Sequence, residues 1–101
     1  MDLKRIIRAA RGDETADLLL THARIVNVFS GEIVSGDIAV AGGCIVGFGE
    51  YDAKKKIDLE GRFVAPGFID SHVHIESAMA SITQFARAVL RLGTTTVVAD
   101  P

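Results

Sequence analysis

Cysteine, net charge and long apolar runs are all scarce in this chain, and each scarcity excludes something. A single cysteine, Cys44, leaves no intrachain disulfide possible. Flanked by Gly43 and Ile45, it reads as a small strand residue rather than a reactive thiol. Lysine and arginine number 11 against 13 acidic residues, a formal balance of −2, so the chain as a whole makes no electrostatic case for nucleic acid. No apolar run approaches the ~18 to 20 residues of a membrane span. The opening MDLKRIIRAARGDE is charged throughout and lacks the apolar core of a signal peptide. A cytoplasmic location is therefore expected, with neither membrane nor nucleic acid as partner. At 101 residues, 49% of them hydrophobic and 24% charged, the chain has the make-up of one small soluble domain with a modest core.

The periodicity changes twice along the chain. Leu3, Ile6, Ile7 and Ala10 recur at helical spacing, with Lys4, Arg5, Arg8 and Arg11 on the other face and Gly12 as the stop. Asp13, Glu14 and Asp17 follow at once, so the basic face reads as solvated rather than as a surface for lipid or nucleic acid. From Ala16 to Leu59 the pattern is one of short strands and tight turns. ADLLLTHARIVNV, EIVSGDIAV and CIVGFGE are β-rich runs, and the pair Gly42-Gly43 between the last two predicts a hairpin. Lys54, Lys55 and Lys56 read as a solvated turn, and KIDLEGRFVAPG as another strand ending in a Pro-Gly turn. Short strands without intervening helices predict a small antiparallel sheet or sandwich. Glycines 43, 47 and 49 do not have the spacing of a dinucleotide loop and read as turn and strand-end residues. His22, alone in this region, reads as a surface or packing residue.

After Pro66 the signals become those of an α/β unit. FIDSHVHI is a strand candidate. SITQFARAVLRL is a helix, with Ser81 and Gln84 as a capping box, an apolar stripe of Ile82, Phe85, Ala86, Val89 and Leu90, and Gly93 at the C′ position. TTTVVADP is a second strand, so strand, helix, strand predicts a parallel βαβ unit. The division falls into residues 1–65, a helix and β-rich part, and residues 66–101.

Two of the three histidines stand one residue apart in the first of these strands. On a helix, positions two apart diverge by about 200° and could not share a ligand. On a strand, Phe68, Asp70, His72, His74 and Glu76 share one face while Ile69, Ser71, Val73 and Ile75 share the other. Two imidazoles on one strand face, roughly 7 Å apart at the backbone, can converge on one cation. Two packed core histidines are the plainer alternative, but burying them unpaired with two carboxylates is costly. A metal site is therefore expected at His72 and His74, with Asp70 either orienting a histidine from behind or contributing to the site floor, and Glu76 as a candidate catalytic group.

The stretch VAPGFIDSHVHIES resembles the first barrel strand of the metal-dependent amidohydrolase superfamily, which carries P-G-x-I-D-x-H-x-H there. ARIVNVFSGEIVSGDIAVAGGCIVGFGE is similar to that superfamily's amino-terminal β-sandwich strands. HVHIESAMAS, GTTTVVADP and the leading helix running into ARGDETADLLL resemble the adenine deaminase family within it; Ala78 stands where members often have a second serine. The resemblance implies a partial amidohydrolase architecture: sandwich strands followed by the first β-α-β of a (β/α)8 TIM barrel. It implies that His72 and His74 are the first two metal ligands and that Asp70 supports the cluster. It implies hydrolytic deamination of adenine to hypoxanthine and ammonia in purine salvage. The cofactor it implies is a divalent metal, Mn2+ or Fe2+ with Zn2+ as the alternative, in a binuclear centre of a homo-oligomeric enzyme. A barrel of this kind needs about 250 residues, so the chain is expected to be an amino-terminal piece of a larger enzyme, inactive alone. The competing expectations are another amidohydrolase, such as a dihydroorotase, hydantoinase or imidazolonepropionase, which residues beyond Pro101 would discriminate, and a stand-alone β-rich metal-binding or interaction module, which would fold cooperatively by itself.

Overall fold

A computed structural model describes residues 1–99. The chain divides into two compact units, Met1–Ala65 and the residues from Pro66 on.

The first unit runs α1 (Leu3–Arg11), β1 (Ala16–Asn27), β2 (Glu32–Ala41), β3 (Cys44–Phe48), β4 (Ala53–Asp58) and β5 (Phe63–Val64). Asp2 caps α1 by accepting the Arg5 amide, and Gly12 ends it in the left-handed region at φ 82°. The strands make one five-stranded sheet in the order β3-β2-β1-β4, with β5 also pairing with β1. The hairpin expected at Gly42-Gly43 is present: both glycines have positive φ, and Ala41 pairs with Cys44 across them. The all-antiparallel expectation is corrected. β1 pairs in parallel with β4 and then with β5, because β2 and β3 together form the crossover that returns the chain alongside β1. The three lysines are corrected as well. They lie in β4, not in a turn. β4 is an edge strand, and a charged edge exposed to water can carry lysines that a central strand could not.

The sheet's core is shallow. Ala16, Leu19 and Ala39 form its centre, with Val46, Tyr51 and Ala53 packed against them. Polar contacts fasten the periphery. The Arg5 guanidinium holds the Asp17 carboxylate through two hydrogen bonds, of 2.5 and 3.3 Å, and Asp17 also accepts the Gly42 amide at 2.9 Å. One carboxylate thereby ties α1, β1 and the β2–β3 turn together. Those bonds, Arg5 first and Gly42 second, hold the Asp17 carboxyl down at about 2. The Tyr51 hydroxyl donates to the Ala10 carbonyl at 2.8 Å, and a side chain at Gly47 would collide with the Tyr51 ring.

The second unit runs β6 (Phe68–Val73), a 3-10 turn (Ile75–Ala78), α2 (Ile82–Leu90) and β7 (Thr94–Ala99). β6 and β7 pair in parallel, as the βαβ pattern predicts. The Ser81 hydroxyl accepts the Gln84 amide at the start of α2, the forward half of the expected capping box. The helix stops at Leu90 with Arg91 as its cap, so Gly93, at φ 100°, serves the turn into β7 rather than the C′ position. Asp100 and Pro101, read as part of the second strand, lie outside the described residues. No helix among the described residues is long and apolar enough to cross a membrane.

Candidate metal centre

β6 ends at Val73, between the two histidines of the candidate pair. Its pairing with β7 steps from Asp70↔Val97 to Val73↔Ala99, so Ser71 and His72 together oppose Val98. This is a bulge, a device that re-aims side chains. The Asp70 carboxylate accepts the His72 amide at 3.2 Å inside it. Asp70 therefore supports His72 through the backbone: it satisfies the amide that the bulge has taken out of the ladder. His74 follows in extended conformation (φ −117°, ψ 95°) and caps the 3-10 turn.

The two imidazoles meet. His72 Nε2 and His74 Nε2 are 2.9 Å apart, and the ring centroids are separated by 4.8 Å. That spacing allows a shared proton between the two nitrogens, the donor being whichever ring's tautomer carries it. Replacing the shared proton by a cation needs both nitrogens at about 2.0–2.1 Å from it, which two donors 2.9 Å apart can reach. The donor set is exposed, as a site open to substrate requires. The two rings approach each other, but through the bulge at His72 and the departure of the chain at His74 rather than through a shared strand face.

Glu76 is where alternation misleads. It lies in the 3-10 turn and not on the strand face, because the strand ends at Val73. Its carboxylate nonetheless stands 4.0 Å from His74 Nδ1. Met79 closes the turn in the left-handed region (φ 57°). It is absent from the sequence-predicted site, and no pattern signals it, since such backbone ordinarily goes to glycine or asparagine. Among the described residues no group of three or more His, Cys, Asp and Glu side chains can hold a metal ion. The chain thus brings together two nitrogen donors and a neighbouring carboxylate, fewer than the three protein ligands usual at a catalytic metal.

His22 takes no part in this pair. It belongs to the first unit, in a second bulge where Thr21 and His22 oppose Asp37. Its amide donates to the Asp37 carboxylate, its ring Nδ1 lies 3.0 Å from Asp58, and its side chain is exposed. That is the surface role expected of it. Asp58 is held below the usual carboxylate range by the Glu60 amide and then by His22.

No family model matches the chain. It is 59% identical over 97 residues to a protein of Desulfatibacillum aliphaticivorans named adenine deaminase, covering 96% of this chain and 17% of that protein. It is 48% identical over 101 residues to one of the same name from Petrotoga mobilis, covering 100% of this chain and 18% of that protein. Among solved structures it resembles the L-hydantoinase (dihydropyrimidinase) of Arthrobacter aurescens, with TM-score 0.68, 26% identity, and coverage of 86% of this chain and 21% of that one. It also resembles an N-acyl-D-glutamate deacylase of Bordetella bronchiseptica, solved with zinc and a phosphonate inhibitor, with TM-score 0.66, 30% identity, and coverage of 85% of this chain and 19% of that one. By sequence this chain is a homologue of the adenine deaminases, of whose length it spans about one sixth, with amidohydrolases as its structural neighbours.

Proposed function

We propose that this chain is the amino-terminal segment of a metal-dependent adenine deaminase, in which its two units begin the β-rich domain and the (β/α)8 barrel. The observation that carries the reading is the 2.9 Å approach of His72 Nε2 and His74 Nε2 at the carboxyl end of parallel strand β6. Active sites of parallel α/β barrels lie at that end. Zinc in the Bordetella structure supports a divalent cation as the group that the two imidazoles hold; Fe2+ also suits imidazole donors, and Mn2+ would lean on oxygen ligands supplied elsewhere. When bound, such a cation supplies Lewis acidity to water, which is what replacement of an aromatic amine by oxygen needs at neutral pH.

The residues of this chain have three tasks in that reaction. His72 and His74 offer neutral nitrogen donors on one side of the site. Asp70 fixes the bulge that presents His72. Glu76, 4.0 Å from His74 Nδ1, is within reach to orient that ring and to exchange a proton with substrate. Adenine is favoured over a hydantoin because 59% identity to a protein named adenine deaminase far exceeds the 26% to the hydantoinase.

The test is ammonia release by the complete enzyme carrying this segment. Adenine should be deaminated much faster than adenosine or cytosine. Rapid turnover of dihydroorotate or a hydantoin, with adenine untouched, rejects the substrate while leaving the hydrolase reading standing.

A further inference from the structure

Met79 is a costly choice of residue for its position. Its backbone is left-handed (φ 57°, ψ 32°), a conformation that side-chain-bearing residues adopt at the expense of strain. Met79 is 95% exposed in this segment, so nothing among the segment's described residues packs against it. It closes the 3-10 turn that starts from His74, and its amide donates to the Glu76 carbonyl at 3.2 Å. One turn of chain thus carries, in order, an imidazole of the candidate metal pair, a carboxylate beside that imidazole, and a free thioether. A 3-10 turn rises about 2 Å per residue, which keeps Met79 within about 10 Å of His74.

We propose that Met79 contacts the substrate, laying its thioether against the flat face of the purine while Glu76 faces the ring's polar edge; the inference rests on the adenine reading above. A thioether is polarizable and conformationally adaptable, and sulphur–aromatic contacts are favourable. A purine offers an aromatic face with N–H donors and ring nitrogens around its rim, which suits a turn that presents one soft apolar group and one carboxylate. Backbone strain persists where it aims a side chain that function needs.

The experiment uses the complete, metal-loaded enzyme with Met79→Ala, Met79→Gly and Met79→Leu. Each is assayed for kcat and KM on adenine, for metal content and for thermal midpoint. Glycine relaxes a left-handed backbone, so a merely structural role predicts a parental KM in Met79→Gly, with the thermal midpoint raised if the residue only shapes the turn or lowered if it packs against the rest of the enzyme. Substrate contact predicts a KM raised roughly two- to tenfold in both Met79→Ala and Met79→Gly, the range a lost sulphur–ring contact gives. Metal content and kcat should stay near parental values, and Met79→Leu should recover most of the loss. A parental KM in Met79→Gly, with the parent active on adenine, overturns the Met79 assignment alone. A parent that leaves adenine untouched overturns the reading beneath it.

Discussion

The two units of this chain solve the same problem unequally. Every buried side chain among the described residues, from Ala9 to Ala41, belongs to the first unit. Its strands find partners on both sides of β1, and its charges find each other: Arg5 with Asp17, Arg8 with Glu14, Arg11 with Asp13. None of the second unit's described side chains is buried. Its two strands have only each other, and Ile69, Ile82 and Leu92 are about 70% exposed or more, at 69%, 74% and 76%. The candidate chemistry lies wholly in this second, open unit. The contrast teaches that a structural platform and a catalytic strand have different needs. Both units leave apolar side chains in water, Phe29 and Ile45 in the first as well as Ile69 and Ile82 in the second, but only the first also encloses a core of its own.

The largest effect expected from this asymmetry concerns the histidines. In the complete enzyme, His72→Ala or His74→Ala should lower metal content and cut turnover by several orders of magnitude, because activation of water depends on the metal. His22→Ala, in the first unit, should change neither. Elemental analysis beside ammonia release separates the three. Full metal occupancy and near-parental activity in both His72→Ala and His74→Ala would return the pair to a packing role and erase the functional half of the contrast.

The approach of the histidine pair was legible because two imidazoles one residue apart in extended backbone stay close, but its cause was not, since a bulge and the end of β6 at Val73 replace the regular alternation along FIDSHVHI. Glu76 was misplaced because the period of two was carried past Val73, where β6 ends and the chain enters the 3-10 turn of Ile75–Ala78. α1 and its Gly12 stop, the Gly42-Gly43 hairpin and the Ser81 cap could all be read because each is a local rule with a short range. The parallel pairing of β1 with β4 and β5 could not, since it joins residues such as Ala16 and Ala53 that no local pattern links. Lys54, Lys55 and Lys56 mislead for a related reason: composition marks them as solvated, and an edge strand is solvated too. Met79 gave no signal, because its left-handed backbone contradicts its residue type.

A medium effect should distinguish the two units by stability. Leu19 is 3% exposed at the centre of the first unit's core. Truncating it to alanine should cost about 2–3 kcal/mol, the lower part of the range for a buried leucine in so shallow a core. Amide hydrogen exchange should then quicken across β1 and β2. Val97, only half-buried in the second unit, should cost under about 1 kcal/mol on truncation and leave exchange in β1 and β2 unchanged. Equal costs, or exchange in β6 and β7 as slow as in β1, would break the division of roles.

The smallest effect is electrostatic and should be confined to the first unit. Asp17 titrates at about 2 in the folded chain against an ordinary value of 3.8, held there by Arg5 and by the Gly42 amide. A carboxyl depressed by folding contributes stability that is fully present above its unfolded value and is lost as pH falls through its folded value. The contribution is therefore intact above about pH 4 and drains away toward pH 2. Asp17 is 40% exposed, so solvent screening keeps the effect small. Asp17→Asn removes the titration along with the ion pair. The parent should lose thermal stability more steeply than Asp17→Asn between pH 4 and pH 2, and the two curves should converge near the lower limit. Read by amide exchange, the difference should appear in α1, β1 and the β2–β3 turn, which Asp17 joins, and not in β6 or β7. Parallel pH profiles for the two proteins would show that the Arg5–Asp17 contact stabilises nothing. A pH effect shared by β6 and β7 would show that the two units unfold together, and that the open unit draws its stability from the closed one.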